Sequence, residues 1–231
     1  MTATVFVTGT DTGVGKTVVS CALVRGLRQL RKRVAVVKPV AAGCEQINGR
    51  WCNDDALALQ FAAGNWQDYG VINPFALPAA IAPHLAAKEA RMQLSVRAIA
   101  PHIETARGQN ANFCVIEGAG GFLVPLNDTE TMADLAHALA TPVILVVAMR
   151  LGCINHALLS AAAIRGKGLR LLGWVANQPE ADAMPHHDDN VAYLRTHLAA
   201  PLLAEFHWQQ DDATHELRFA TQVIAAFDGR S

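Results

Sequence analysis

The chain has 231 residues, 52% of them hydrophobic and 17% charged, a balance that excludes a disordered chain and suits one α/β domain with a large buried core. Its formal net charge is −1 and its pI about 6.7, and without a basic stripe it lacks the electrostatic footprint of a nucleic-acid binder. The longest apolar run, Pro142 to Met149, is too short to cross a bilayer, so no membrane partner is expected and the cytoplasm is the expected compartment.

Thr4-Val5-Phe6-Val7 is a short β-rich run leading into Thr8-Gly9-Thr10-Asp11-Thr12-Gly13-Val14-Gly15-Lys16-Thr17. Strand, glycine-bearing loop, Gly-Lys-Thr and a helical segment make a phosphate-binding loop. Successive N–H groups from Gly13 to Val18 wrap phosphate oxygens in such a loop, and the helix N-terminus adds partial positive charge. Gly13 and Gly15 are expected at positive φ. Lys16 is placed to reach the β- and γ-phosphates, and the Thr17 hydroxyl to ligate Mg²⁺. The usual pattern has about four residues between the first Gly and Gly-Lys; here five lie between Gly9 and Gly15.

Val19, Leu23, Leu27 and Leu30 then share one helical face, closed by Arg28, Arg31, Lys32 and Arg33, cations that complement a helix C-terminus. Val34–Val37 is a continuous apolar run, as in a strand buried on both faces; Pro39 stops it and leaves Lys38 at its carboxyl end. A loop with Gly43, Asn48 and Gly49 follows. Asn53 or Asp54 caps a helix through Gln60, with Leu57 and Phe61 as an apolar i, i+4 pair. Residues 64–82 read as loop and Ser95 to Arg107 as helix. Phe113 to Ile116 is a buried strand that ends abruptly at Glu117, before Gly118-Ala119-Gly120-Gly121. Thr131 to Ala140 is helical, with Met132, Leu135, Ala136 and Leu139 on one side. Pro142 to Val147 is the strongest strand. Gly152-Cys153-Ile154-Asn155 reads as a tight turn, with Asn155 capping a helix from His156 to Gly166. Leu171 to Ala176 is a strand ending at Asn177. The segment to Asp189 reads as loop, Val191 to His197 as helix, Pro201-Leu202-Leu203 as a last strand and Thr221 to Phe227 as a terminal helix.

Alternating strands and helices imply right-handed crossovers and a parallel sheet with helices on both faces, binding ligands at the carboxyl ends of its strands. Those ends carry the phosphate loop, Lys38, Glu117, the Gly152–Asn155 turn and Asn177. Thr17, Asp55 and Glu117 offer the oxygens that a hard Mg²⁺ takes, although Asp55 alone also reads as a helix cap. Lys38 is either a second cation for charge on a transferring phosphoryl group or a snorkelling surface lysine. The Gly152–Asn155 amides suit a carboxylate or a plain cap. His84, after Pro83, reads either as a pocket-lining residue or, the better single-residue reading, as a satisfied structural histidine, and His186-His187-Asp188-Asp189 reads as solvated loop rather than metal site. Five widely spaced cysteines indicate neither a disulfide framework nor a zinc site.

Taken together, these residues resemble the dethiobiotin synthetase family, ATP-dependent enzymes of biotin biosynthesis. The resemblance rests on Val7 to Thr17, Lys38-Pro39-Val40, Asp55 to Gln60, Asn73-Pro74, Pro83-His84 and Glu117 to Gly121. It continues through Pro142 to Val147, Gly152-Cys153-Ile154-Asn155-His156-Ala157-Leu158, Gly173 to Asn177 and Ala200-Pro201-Leu202-Leu203. The phosphate loop is generic; its combination with Lys38-Pro39-Val40, Glu-Gly-Ala-Gly-Gly and Gly-Cys-Ile-Asn-His-Ala is specific.

The resemblance implies a homodimer of single P-loop α/β domains. It implies conversion of 7,8-diaminononanoate and CO₂, as a carbamate, to dethiobiotin, with ATP as co-substrate and Mg²⁺ as cofactor. Lys16 and Lys38 would stabilise phosphate and carbamate charge, and Thr17, Asp55 and Glu117 would bind Mg²⁺. The nucleotide would lie against Gly13 to Val18, Asp55, Glu117, Gly118, Ala119 and Gly120. Asn177 would read the adenine edge, with His207, Trp208 and Gln209 on the adenine side. Thr12, Lys38 and Ala42 would border the substrate, and Gly152, Cys153, Ile154 and Asn155 would hold its carboxylate across the dimer interface. Gly13 stands where relatives are often acidic, Ala42 where they commonly carry a hydroxyl, and Phe206-His207-Trp208-Gln209 lacks a proline before Trp. The rival expectation is a partition-type P-loop ATPase, a nucleotide switch for a protein partner. Such proteins typically carry an early loop lysine, where this chain has Thr10 and Asp11.

Overall fold

Continuous apolar runs become strands buried on both faces, and these set the architecture. In the computed structural model, which describes residues 2–209 and 212–229, the chain begins with β1 (Ala3–Gly9), α1 (Lys16–Gln29), β2 (Val34–Val37), β3 (Val40–Ala42), β4 (Glu45–Ile47) and β5 (Arg50–Cys52). It continues through α2 (Asp54–Ala63), α3 (Tyr69–Ile72), β6 (Phe75–Leu77), α4 (Pro83–Glu89), α5 (Val96–Arg107), β7 (Phe113–Gly121) and α6 (Met132–Ala138). It ends with β8 (Val143–Ala148), α7 (Cys153–Gly166), β9 (Leu171–Asn177), α8 (His187–His197), β10 (Leu202–Phe206) and α9 (Ala213–Phe227).

Six strands form one sheet in the order β10-β9-β8-β1-β7-β2, every neighbouring pair parallel. Alternate side chains leave a strand on opposite faces. Val5, Val7, Val36, Val115, Ile144 and Val146 pack with α1, α2 and α9. Phe6, Val37, Ile116, Leu145, Val147 and Trp174 pack with α5, α6, α7 and α8. The sheet is therefore covered on both sides, as the strand–helix alternation predicts. Among the described residues no helix is long and apolar enough to cross a membrane.

Several local expectations are corrected. The loop after Lys38 contains β3, which pairs in parallel with β6, and the antiparallel hairpin β4–β5. Asn48 (φ 50°) and Gly49 (φ 79°) form its two-residue tip, a turn that demands left-handed backbone at both positions. Residues 64–82 hold α3 and β6, and α4 follows; elements this short show no readable periodicity. In α2 the buried face is Ala56, Leu59, Ala62 and Ala63, and Phe61 is 74% exposed.

Strand β7 does not stop at Glu117: it pairs onward with β1 as far as Gly9–Gly121. Helix α7 begins at Cys153 with Gly152 as N-cap at φ 95°, so Asn155 lies inside the first turn instead of capping it. Left-handed backbone at this cap suits glycine. Helices α8 and α9 start at His187 and Ala213, earlier than expected, because polar first turns hide their starts.

Helices α1 and α9 cross closely at Gly26, where a Cβ would lie 2.1 Å from the Glu216 carbonyl oxygen and 2.9 Å from the Ala220 Cβ. Alanine raises intrinsic helix propensity by about 1 kcal/mol, but here it meets backbone that must shift. Gly26→Ala is expected to destabilise the fold by about 1–3 kcal/mol, read as a lower urea midpoint. An equal or higher midpoint would contradict this packing.

Candidate active site

The sheet delivers the site by register. Val37 of β2 pairs with Ile116 of β7, so the next residues, Lys38 and Glu117, stand side by side at adjacent strands. Glu117 is fully buried and Lys38 4% exposed. Lys38 Nζ lies 2.6 Å from Glu117 Oε1 and 2.7 Å from Asp55 Oδ2. Thr17, in the first turn of α1, donates its hydroxyl proton to Glu117 Oε1 at 2.9 Å. Lys38 is thus not a snorkelling surface lysine. The three predicted metal ligands and the second cation converge as expected.

Asp55 is fixed by a relay that sequence reasoning missed. The Asn53 side chain accepts from the Asp55 and Ala56 amides, capping α2. The Asn53 amide donates to the Tyr69 hydroxyl, 2.8 Å, and Tyr69 donates to Asn73 Oδ1, 3.1 Å. Asn73 Nδ2 donates to the Lys38 carbonyl, 2.7 Å, and the Lys38 amide to the Ile72 carbonyl. One chain of hydrogen bonds, buried at Tyr69 and Asn73, therefore sets both Lys38 and the helix that carries Asp55. Asn73-Pro74 was the visible trace of this relay; Tyr69, alone in a segment read as loop, left none.

The phosphate loop is held by its surroundings. Gly13 and Gly15 have φ of 72° and 87°, as expected. Val14 is fully buried, and a Cβ on Gly9 would sit 2.5 Å from its side chain. The additional loop residue is accommodated by folding Val14 inward over a glycine. Asn177, at the end of β9, donates from Nδ2 to the Val14 carbonyl at 2.9 Å. Lys16 Nζ donates to the Asp11 carbonyl at 3.0 Å, and the Asp11 carboxylate pairs with Arg150 at 2.9 Å.

These parts open on a cleft of about 730 Å³. Thr12, Gly13, Gly15 to Val18, Lys38, Ala42, Asp55, Ala119 and Gly120 line it. Its far wall is apolar, with Ile81, Pro83 and Val124; of these only Pro83 lies in a stretch that the sequence marks. Gly118 is a packing glycine: a Cβ there would meet the Phe6 ring at 3.0 Å. Gly152 to Asn155 do not line this cleft, and Leu151 beside them is 96% exposed. His207 to Gln209 follow β10 next to Asn177, also outside the cleft wall. His84 lines a separate hollow, as its pocket-lining reading has it, and its Nδ1 is buried without a hydrogen-bond partner among the described residues, so it is not a satisfied structural histidine.

Electrostatics follow from burial. Desolvation, reinforced by the Lys38 charge, lowers the Lys16 pKa to about 8. Burial alone would also lower Lys38, but Glu117 and Asp55 outweigh it and raise its pKa. Burial likewise pushes Asp55 up, and Lys38, with Thr17 nearby, prevails and holds its carboxyl below the usual range. Glu117 Oε2 is buried with no hydrogen-bond partner among the described residues. An orphaned carboxylate oxygen beside a second carboxylate and a hydroxyl is a donor set that fits Mg²⁺.

Fold and cleft together define a P-loop nucleotide-binding protein. A family model described as an AAA domain matches residues 3–215. The chain is 48% identical over 214 residues to the ATP-dependent dethiobiotin synthetase BioD of Marinobacter nauticus, covering 93% of this chain and 92% of that one. It is 48% identical over 204 residues to the namesake from Xanthomonas axonopodis pv. citri, covering 88% and 90%. The chain belongs to the dethiobiotin synthetase family.

Among solved structures it superposes on the septum site-determining protein MinD of Pyrococcus horikoshii, complexed with Mg-ADP, with a TM-score of 0.63 at 16% identity, covering 100% of this chain and 99% of that one. It also superposes on cobyrinic acid a,c-diamide synthase from Mycobacterium smegmatis with bound ADP and magnesium (TM-score 0.61, 16% identity, 100% and 97% covered). At such identity the likeness speaks for the fold alone.

The low Lys16 pKa has a measurable consequence. Below about pH 8 the free protein carries the ammonium; above it the amine is neutral, and a triphosphate that favours the ammonium restores the proton. Nucleotide binding is therefore expected to take up close to one proton at about pH 9 and little at about pH 7. Calorimetry in buffers of different ionisation enthalpy measures this, and equal apparent enthalpies at the higher pH would contradict it.

Proposed function

We propose that the chain is an ATP-dependent dethiobiotin synthetase of biotin biosynthesis, joining 7,8-diaminononanoate and CO₂ into dethiobiotin with release of ADP and phosphate. The observation that carries this reading is near full-length identity of 48% to named dethiobiotin synthetases. The cleft supports it, because phosphoryl transfer asks for positioned cations more than for a protein nucleophile.

The amides of Gly13 to Val18 and the start of α1 cradle the phosphates, and Lys16 reaches the terminal ones. Thr17, Asp55 and Glu117 hold Mg²⁺, which when bound neutralises charge on the phosphate oxygens. One substrate amine captures CO₂ as a carbamate, and a carbamate oxygen attacks the γ-phosphorus while ADP leaves. The second amine then attacks the carbonyl carbon of that mixed anhydride, loses its proton, closes the ureido ring and expels phosphate. Lys38 stabilises negative charge at the junction of carbamate and phosphoryl group. Asn177 reads the adenine edge through Oδ1, because its Nδ2 is committed to the Val14 carbonyl, and His207 to Gln209 flank the base. Thr12 and Ala42 border the diamine.

The chain works as a homodimer. Gly152 to Asn155 lie outside the cleft of their own chain, beside exposed Leu151 and Leu159. The amides of Ile154 and Asn155 at the start of α7 suit the substrate carboxylate of the other protomer. The rival reading as a nucleotide switch draws only on fold likeness.

Incubation with the diamine, ATP, Mg²⁺ and isotopically heavy bicarbonate is expected to yield a ureido product carrying the label, read by mass spectrometry. No labelled product with all four present would sink the reading. Lys38→Ala is expected to lower turnover by roughly 100- to 1000-fold, the scale for losing one transition-state donor. An unchanged rate would remove Lys38 from the chemistry.

A further inference from the structure

The carboxylates assigned to the divalent ion already share one cation of the chain itself. The Lys38 ammonium bonds both Glu117 Oε1 and Asp55 Oδ2. Thr17 donates to that same Glu117 oxygen. All three assigned ligands thus touch either the ammonium or the oxygen it holds. A divalent ion taking these oxygens at about 2.1 Å would sit against the ammonium. Two cations on one oxygen repel strongly where burial excludes screening water. The ammonium also leaves Glu117 Oε2 buried and without a hydrogen-bond partner among the described residues, so it fills the site only in part. It has an exit, since Lys38 borders the open cleft next to the phosphate loop.

We propose that Lys38 is an internal counter-ion that shuts the divalent-cation site of the nucleotide-free protein, and that the metal enters only with a nucleotide whose phosphates draw the ammonium out of it. The inference rests on the assignment of Thr17, Asp55 and Glu117 to the metal. Exchange moves one positive charge from the carboxylates to the phosphates, so metal and nucleotide raise each other's affinity by the same factor. Lys38 then discriminates a metal–nucleotide complex from free metal, besides acting on the reacting groups. Its buried position between the carboxylates is the resting half of that exchange.

Mn²⁺ serves as the probe, with free ion measured by electron paramagnetic resonance and no nucleotide present. Lys38→Met is expected to bind Mn²⁺ about tenfold or more tightly than the wild type, because two carboxylates lose their competing cation. Adding Glu117→Gln to Lys38→Met is expected to abolish the gain. Equal affinity in wild type and Lys38→Met overturns the proposal. If Glu117→Gln still weakens Mn²⁺ binding in the presence of ADP, the metal assignment survives that result. If Glu117→Gln changes nothing in either condition, the assignment falls and the proposal with it. Should Lys38→Met not fold, the wild type is read directly by ammonium-selective NMR of Lys38. Its signal is expected to stay fixed on adding Mg²⁺ alone and to move on adding Mg²⁺ with ADP. Movement with Mg²⁺ alone overturns the proposal.

Discussion

A carboxylate with no exposure at all, Glu117, sits between two strands of the central sheet. Leaving such a charge unpaired costs several kcal/mol, so some cation has to meet it. Lys38 does, and is itself buried, so each lowers the cost of burying the other. The pairing Val37–Ile116 puts them side by side. Because side chains alternate along a strand, a slip of one residue would turn one partner to the wrong face. The ion pair and the sheet register therefore specify each other, and the site is built into the fold instead of being carried on a mobile loop.

The phosphate loop is shaped from outside in the same way. Strand β1 lies between β7 and β8, so the loop that follows it emerges among the ends of several strands. Asn177 of β9 holds its Val14 carbonyl, Arg150 after β8 holds its Asp11, and Thr17 at its close bonds Glu117 of β7. The backbone amides are positioned before any ligand arrives, and preorganisation of this kind lets fixed dipoles and charges act on phosphate without reorganising.

Much of this was legible in the sequence. Apolar runs marked all six strands of the main sheet, and the rule that ligands bind at strand carboxyl ends selected Lys38 and Glu117 before any contact was known. The Asn53–Tyr69–Asn73 relay was not legible, because it joins a helix cap to residues in a segment without periodicity. The Leu57–Phe61 pair marks helix α2, but its buried face, Ala56, Leu59, Ala62 and Ala63, is mostly small residues that stand out less in the sequence. The continuation of β7 past Glu117 was hidden because its glycines resemble a turn, while in the sheet they admit the Phe6 ring and the phosphate loop.

The account stands or falls on who occupies the oxygens of Glu117 and Asp55. A crystal structure with Mg²⁺ and a non-hydrolysable ATP analogue tests this most directly. The account predicts the ion bonded to Thr17, Asp55 and Glu117, and the Lys38 ammonium withdrawn toward the phosphates. An ion bound elsewhere, with Lys38 still bridging the two carboxylates, would contradict it.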